Sequence, residues 1–259
     1  MRAAAIAACF FLGLLAGCSP RTRTQLIVGM ELAYPPFEMT DERGQPAGVS
    51  ADLARDLGHH LQREVEIQNL PFPGLIPSLQ THKIDLIISS MTATPERAES
   101  IAFSDGYLTT GLCLLAGKRS PVQSIADADQ AGRVIAVKKG TTGHVFAMDN
   151  VKKARVLVLD KEDACVLEVV QGKADAFLYD QISTYENWRR NPDTTRALLR
   201  PFRQETWAIG LRRDDTNLLR QVNAFLKEYK AEGGFERLGE RYLREQKEAF
   251  RKLDIPFYF

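Results

Sequence analysis

Short apolar runs alternate with amphipathic segments along most of the chain, and this alternation restricts the possible folds more than any other feature. Residues 26–28 and 86–88 have the length and apolar character of buried strands, and a helical pattern with Leu53 and Leu57 on one face lies between them. Further along the chain the alternation resumes, with apolar runs such as residues 134–137. Strands that alternate with helical crossovers form parallel sheets, so the sequence predicts an α/β fold.

Composition excludes one class of partner. The 259 residues are 44% hydrophobic and 26% charged, which is typical of a soluble globular protein with a substantial core. The formal net charge of +1 provides no basic surface field, so we do not expect nucleic acid as a partner.

The first 18 residues differ from the rest of the chain. Arg2 precedes an apolar run at residues 3–15, which ends in two small residues and Cys18. A cationic start, a short apolar core and small residues form an export signal, and the run is shorter than the roughly 20 residues of a membrane-spanning helix. Residues 15–18 also resemble a bacterial lipobox. We therefore expect a signal peptide at 1–17, a diacylated Cys18 and a polar tether at 18–24, which hold the protein at the periplasmic or extracytoplasmic face of a membrane. A plain secretory signal is the alternative.

Two cysteines, Cys113 and Cys165, lie in the body of the chain. An exported pair could form a disulfide. Both lie in apolar runs and have the character of small core residues, so we expect two free, buried thiols.

The stretch at residues 84–104 combines several groups that could bind a ligand. Its apolar start is followed by hydroxyl residues, and Pro95 then opens a short helix that carries Arg97. Hydroxyls at the carboxyl end of a buried strand lie where open α/β sheets bind their ligands. Arg97 has the planar fork that suits a carboxylate. The alternative is a plain strand–loop–helix unit with a surface arginine.

This stretch resembles the signature of the periplasmic polar-amino-acid-binding proteins, which are the solute receptors of ABC importers and form bacterial solute-binding protein family 3. The matching residues are 83–85, 89–92, 94–97, 103–105 and Tyr107. The resemblance extends over nearly the whole chain after about residue 25. Together with the lipobox-like residues 15–18, it implies a lipoprotein form of these receptors. It implies a two-lobed periplasmic-binding-protein fold of type II, in which each lobe is a sheet flanked by helices and two hinge strands join the lobes.

The resemblance also implies how the chain is divided. Lobe 1 would contain residues 25–110 and a return part at 207–259, and lobe 2 would contain residues 111–206. Residues 206–211 are the predicted return strand, and the amphipathic segments after them are expected to pack back on lobe 1. Within lobe 1, Ser50 is expected to cap the helix that carries Leu53 and Leu57.

The charged ends of a free amino acid have candidate partners in the same resemblance. Arg97, Thr92 and the backbone amides around Thr142 would bind the carboxylate, because residues 140–143 place small residues at a helix start. Taken alone, this Gly-Thr-Thr-Gly run is more typical of a capped helix. Asp180 would accept the ammonium, supported by the Ser90 and Thr92 hydroxyls, and Ser89 is a further expected ligand contact. Asp180 could also cap the helix that follows it.

The side-chain pocket would contain Glu31, Tyr34, Phe72 and Lys138, whereas Phe37 is assigned to the core. Tyr34 and Phe72 could enclose a flat or cationic group between their rings. If Lys138 pairs with Glu31, the pocket is nearly neutral and favours glutamine. If Lys138 points to solvent, Glu31 is free for arginine, lysine or ornithine. The sequence leaves both alternatives open, and a cationic ligand is slightly preferred.

The expected function is therefore that of a monomeric extracytoplasmic lipoprotein, which captures a polar L-amino acid between two lobes and delivers it to an ABC permease. The resemblance implies no enzyme activity, metal or cofactor. An enzyme on the same scaffold, similar to cyclohexadienyl dehydratase, is the alternative, with Glu31 or His144 as its general acid. A sensory domain of a larger receptor is a third possibility.

Overall fold

A computed structural model describes residues 25–255 of the chain. The predicted signal peptide, the predicted lipidation site at Cys18 and the tether at 18–24 lie outside these residues.

Twelve strands and ten α-helices alternate along the described residues, as the apolar pattern predicts. The strands are β1 (Gln25–Met30), β2 (Met39–Thr40), β3 (Pro46–Ala47), β4 (Glu64–Asn69), β5 (Leu86–Ile87), β6 (Ala102–Phe103), β7 (Leu108–Gly117), β8 (Val134–Lys138), β9 (Arg155–Leu159), β10 (Ala176–Asp180), β11 (Thr195–Trp207) and β12 (Gly210–Leu211). The helices are α1 (Val49–His60), α2 (Leu75–Gln80), α3 (Pro95–Ala98), α4 (Ile125–Ala128), α5 (Thr142–Asn150), α6 (Glu162–Val170), α7 (Gln181–Arg190), α8 (Thr216–Ala231), α9 (Gly234–Tyr242) and α10 (Arg244–Lys252), and a 3-10 helix at Phe72–Gly74 precedes α2.

The strands form two five-stranded sheets and one small hairpin. The first sheet has the order β4-β1-β5-β12-β6, and the second has the order β11-β7-β10-β8-β9. The chain passes from the first sheet to the second between β6 and β7, and it returns between β11 and β12. The two sheets, each flanked by helices, confirm the predicted two-lobed α/β fold. The lobe boundaries at residues 110 and 206 stay predictions.

Helices cover both faces of the second sheet, which explains its long apolar strand. In β7, Leu114 belongs to a core cluster on one face and Leu115 to a cluster on the other. Successive residues of a strand point to opposite faces, so a strand buried on both sides is apolar throughout. Cys113 and Cys165 are buried in this lobe and are not bonded to each other, which confirms the prediction of free thiols.

The predicted return strand at 206–211 is wrong in its extent. The structure has two strands here, and β11 begins eleven residues earlier, at Thr195. β11 is the edge strand of the second sheet, and its pairing with β7 shifts register between Leu198 and Arg203. An edge strand is half exposed and carries polar residues, so its sequence lacks the apolar run of a buried strand.

The first two helices after β12 pack on the first lobe, as the sequence predicts, and a third helix, α10, also contacts the second lobe. α8 and α9 pack against α1, and the Tyr229 hydroxyl donates to Asp56 over 2.6 Å. α10 instead reaches α7, which flanks the second sheet, through Phe250 on the Tyr185 ring and a bond from Gln246 to Glu186. Within residues 25–255, no helix has both the length and the apolar character needed to cross a membrane.

Candidate functional site

All ten residues predicted to contact a ligand line one cleft, which contains about 470 Å³ of empty space. The ten are Glu31, Tyr34, Phe72, Ser89, Ser90, Thr92, Arg97, Lys138, Thr142 and Asp180. Six further residues line the cleft and were not predicted as ligand contacts: Glu38, Leu112, Thr141, Tyr179, Glu205 and Trp207.

The loop after β5 brings hydroxyl groups to the cleft. Ser90 has a φ of 47°, in the left-handed region that few residues other than glycine adopt. The preceding Ser89 accepts a hydrogen bond from the backbone N–H of Glu31 over 3.0 Å. Ser89 thus joins the loop after β5 to the end of β1, the neighbouring parallel strand.

Arg97 is held in position by a short capped helix. Thr94 is the N-cap of α3 and accepts from the Arg97 backbone N–H over 3.2 Å. The Arg97 guanidinium donates to the carbonyls of Thr92 and Gly140, over 2.8 and 3.1 Å, and its central carbon lies 5.4 Å from the Phe72 ring centroid. Burial lowers the pKa of Arg97, and the charge of Glu205 opposes that shift. Among residues 25–255, no carboxylate forms a salt bridge with Arg97, so its charge is available to an anionic ligand.

The start of α5 lies beside this guanidinium, because Arg97 bonds to the Gly140 carbonyl. Thr141 is the N-cap of α5, and its side chain accepts from the backbone N–H of His144. A Cβ atom on Gly143 would lie 2.7 Å from the carbonyl oxygen of Leu178 in β10, so only glycine lets α5 approach this strand so closely. A cation and a helix N-terminus together favour a carboxylate.

Asp180 caps a helix, as the sequence allows, and it also lines the cleft. It ends β10 and caps α7, because its Oδ1 accepts from the backbone N–H groups of Ile182 and Ser183, each over 3.0 Å. The Tyr34 hydroxyl, from the first lobe, donates to the same oxygen over 2.7 Å. Burial raises the pKa of Asp180, and these hydrogen bonds oppose that shift. Oδ2 accepts no hydrogen bond from residues 25–255, and Asp180 lines the cleft.

Lys138 and Glu31 form a buried ion pair across the cleft. The Lys138 ammonium donates to Glu31 Oε2, and the Lys138 side chain is only 2% exposed. Glu31 Oε1 accepts from the backbone N–H of Phe72 over 3.3 Å. The alternative in which Lys138 points to solvent is therefore wrong, and Glu31 is not free to neutralise a ligand cation.

Tyr34 and Phe72 both line the cleft and contact other residues there, and the enclosure of a ligand between their rings stays a prediction. Tyr34 stacks on Phe37 at 5.6 Å and meets Trp207 edge-on at 6.0 Å. Phe72 faces the cations of Arg97 and Lys138. Phe37 is fully buried, which confirms its assignment to the core.

Glu38 is the first of two cleft carboxylates that sequence reasoning missed. It is 1% exposed, and it accepts from the hydroxyls of Ser50 and, over 2.9 Å, of Ser90. Burial raises the pKa of Glu38 to about 8, although the serine hydrogen bonds oppose the shift. The predicted cap at Ser50 is consequently wrong: Gly48 holds the N-cap position of α1, and the Ser50 hydroxyl bonds Glu38 instead. A glutamate directly after the apolar Pro-Pro-Phe run is the signal that could have found it.

Glu205 is the second missed carboxylate. It is 5% exposed, and its Oε2 accepts from the hydroxyls of Thr92 and Thr142, over 3.0 and 2.9 Å. Burial raises the pKa of Glu205, and the two threonine hydrogen bonds oppose the shift. No sequence signal indicated it, because the polar part of β11 was not predicted as a strand.

These carboxylates determine which ligand groups the cleft hydroxyls can bind. A hydroxyl has one hydrogen to donate, and Ser90, Thr92 and Thr142 give theirs to Glu38 or Glu205. Their oxygens can then only accept, which suits an ammonium. A ligand carboxylate is left with Arg97 and the backbone N–H groups at the start of α5.

Comparison with known proteins agrees with this geometry. Residues 26–245 match the family model described as bacterial extracellular solute-binding proteins, family 3. The L-cystine-binding protein TcyJ of Escherichia coli (strain K12) is 26% identical over 86% of this chain and 84% of its own length. The lysine/arginine/ornithine-binding periplasmic protein of the same strain is 28% identical over 83% of this chain and 86% of its own length.

A solved structure shows the same fold. The putative binding component of an ABC transporter from Wolinella succinogenes DSM 1740, complexed with lysine, is 31% identical and superposes with a TM-score of 0.81, over 87% of this chain and 98% of the other. The family match covers most of the chain, and the cleft lies between the two lobes. The chain therefore belongs to family 3 of the bacterial extracellular solute-binding proteins, the amino-acid-binding receptors of ABC importers.

Proposed function

We propose that this protein captures a free L-amino acid in the cleft and delivers it to an ABC permease in the membrane, from an extracytoplasmic position in which lipid at Cys18 anchors it. One observation carries the proposal: the cleft brings together a cation and a helix N-terminus, at Arg97 and α5, with the acceptor Asp180. A zwitterion has the complementary pair of charges, and its charged groups need such partners once they are buried.

A cationic ligand, such as arginine, lysine or ornithine, remains the preferred class, although for a different reason from the predicted one. The Lys138–Glu31 pair is neutral overall and by itself favours glutamine. Four carboxylates and two cationic side chains line the cleft, however, so the acidic groups are in excess. Glu38 is mostly protonated at neutral pH, because its pKa is raised to about 8, so the excess comes from Glu205. The lysine complex of the Wolinella relative supports the same class.

A thermal-shift screen of the purified domain tests the ligand. The probes are the standard amino acids together with ornithine, citrulline and cystine. A ligand that binds only the folded state raises the melting temperature. We expect the largest shift with arginine, lysine or ornithine. A shift with glutamine alone would show that the ion pair dominates the selectivity, and no shift with any probe would contradict the proposed function.

Variants of the two charged ends test the site. With the ligand that the screen identifies, Arg97→Ala should weaken binding about thirtyfold or more, because the ligand carboxylate would be buried without its cation. Asp180→Asn should weaken binding of ligands that have a free α-ammonium. The control is Arg119→Ala, an exposed arginine outside the cleft. Titration calorimetry measures the affinity of all three variants. If Arg97→Ala or Asp180→Asn binds as tightly as the wild type, that residue does not belong to the site.

An enzyme on this scaffold is less well supported by the geometry. Glu31 is engaged with Lys138, and His144 is not among the residues that line the cleft. Neither residue is placed as a free general acid. We expect binding without turnover, and conversion of prephenate or arogenate by the purified protein would contradict the receptor function.

A further inference from the structure

One carboxylate oxygen in the cleft has no donor. Both hydroxyls that reach Glu205 donate to Oε2, and Oε1 is buried without a hydrogen-bond partner within residues 25–255. A buried acceptor without a donor is costly, because its desolvation is not compensated. In a cleft that receives a solute, the missing donor can come from the solute itself.

The strand register places Glu205 and Asp180 on the same side of the second sheet. β7 lies between β10 and β11, and Leu112 pairs with Asp180 while Thr110 pairs with Glu205. Directly paired residues share a face, and residues two apart on one strand share a face as well. Both carboxylates accordingly line the same cleft, and the charge of Asp180 contributes to raising the pKa of Glu205.

We propose that Glu205 is a second direct acceptor for the ligand's α-ammonium, which would donate to Glu205 Oε1 and to Asp180 Oδ2. This assignment rests on the proposed function and extends it. An ammonium has three hydrogens to donate. Two would go to these oxygens, and the third would go to the Thr92 hydroxyl, whose own hydrogen is already donated to Glu205.

The assignment also orients the ligand. A ligand carboxylate beside Glu205 would be repelled, because two like charges would be buried together. Within residues 25–255 Arg97 forms no salt bridge with Glu205, because its guanidinium donates to the carbonyls of Thr92 and Gly140. The ligand carboxylate therefore belongs at Arg97 and the start of α5, and its α-ammonium belongs between Asp180 and Glu205.

The test pairs a protein change with a ligand change. Affinities of the wild type, Glu205→Gln and Glu205→Ala are measured by titration calorimetry for L-lysine, L-arginine and L-glutamine. The same proteins are titrated with the matched compounds that lack only the α-amino group, namely ε-aminocaproate, δ-guanidinovalerate and glutaramate. Glu236→Gln, an exposed glutamate on α9, is the matched control. The melting temperature of each ligand-free variant shows that it is folded.

Glu205→Gln should weaken binding of the amino acid that the wild type prefers by about tenfold to a hundredfold, as expected for a lost charged hydrogen bond. It should change the affinity of the matched compound by much less. Equal losses for both compounds would mean that Glu205 only supports the threonines, and unchanged affinity would mean that it makes no contact; either result overturns the assignment. A wild type that gives no thermal shift with any amino acid of the screen would instead overturn the proposed function, and this outcome is recognised before any variant is compared.

Discussion

Glu38 shows how one carboxyl group sets the properties of its neighbours. It receives hydrogen bonds from Ser50 and Ser90, on two different segments of the first lobe, although its burial disfavours the charged form. Because Ser90 donates its only hydrogen to Glu38, its oxygen is left as an acceptor at the cleft. A single buried residue thus determines which groups of a ligand this hydroxyl can contact.

The stability of the protein should depend on pH through Glu38. The pKa of Glu38 is raised from its ordinary value of 4.5 to about 8, so the folded state binds the proton more tightly than the unfolded state does. The free energy of unfolding should therefore fall as pH rises between these two values, by up to about 1.4 kcal/mol per pH unit from this group. Below pH 4.5 Glu38 causes no loss of stability, and above about pH 8 this loss is complete.

Glu38→Gln should remove this contribution, because glutamine does not titrate. Urea unfolding at several pH values, compared between the wild type and the variant, measures the difference. Glu42→Gln, which changes an exposed glutamate in the nearby turn, should leave the pH dependence unaltered. If Glu38→Gln and the wild type have the same slope, the raised pKa of Glu38 is wrong.

At the scale of elements, two short capped helices allow a direct comparison. α3 is four residues long, carries Arg97 and is capped by Thr94. α4 is also four residues long, is capped by Ser124 and contributes no residue to the cleft. A helix this short has almost no stability of its own, so its cap and its tertiary contacts hold it.

Thr94→Ala should lower the free energy of unfolding by about 1 kcal/mol and also weaken ligand binding, by up to about fivefold. The reason for the weaker binding is that Arg97 would be in its binding position for less of the time. Ser124→Ala should produce a comparable loss of stability without any change in affinity. Chemical unfolding and calorimetry distinguish the two effects, and equal changes in affinity would show that the cap of α3 does not position Arg97.

At the scale of the whole molecule, contacts between the lobes are made both inside the cleft and outside it. Tyr34 bonds Asp180, Arg97 bonds Gly140, and Lys138 pairs with Glu31 across the cleft. Outside the cleft, α10 follows the helices of the first lobe and packs on α7 of the second. We expect α10 to restrain the separation of the lobes.

Phe250→Ala should loosen this restraint. Loss of a buried phenyl ring typically costs about 3–5 kcal/mol, and here it also removes the contact with Tyr185 on α7. Small-angle scattering of the ligand-free protein should show a larger radius of gyration. Phe225→Ala is the control, because Phe225 is equally a buried phenylalanine but packs against His60 and Tyr229 within the first lobe. If both variants have the wild-type radius, α10 does not hold the lobes together.

The sequence by itself determined the features that depend on neighbouring residues. The alternation of strands and helices follows from local apolar periodicity, and the short distance from Ser89 to Arg97 keeps the hydroxyls and the guanidinium within one strand–loop–helix unit. The helix start at Thr142 and the cap at Asp180 are likewise properties of a few adjacent residues. For these features the local sequence permits few other conformations.

Only the tertiary structure decided which distant groups meet. Lys138 and Glu31 are 107 positions apart, Tyr34 and Asp180 are 146 apart, and Glu205 and Thr92 are 113 apart. Each of these contacts depends on the strand order of both sheets and on how the lobes face each other, which local periodicity does not specify. The charge balance of the cleft, and with it the expected ligand class, is therefore a property of the folded chain, because burial and pairing determine which carboxylates face the solute.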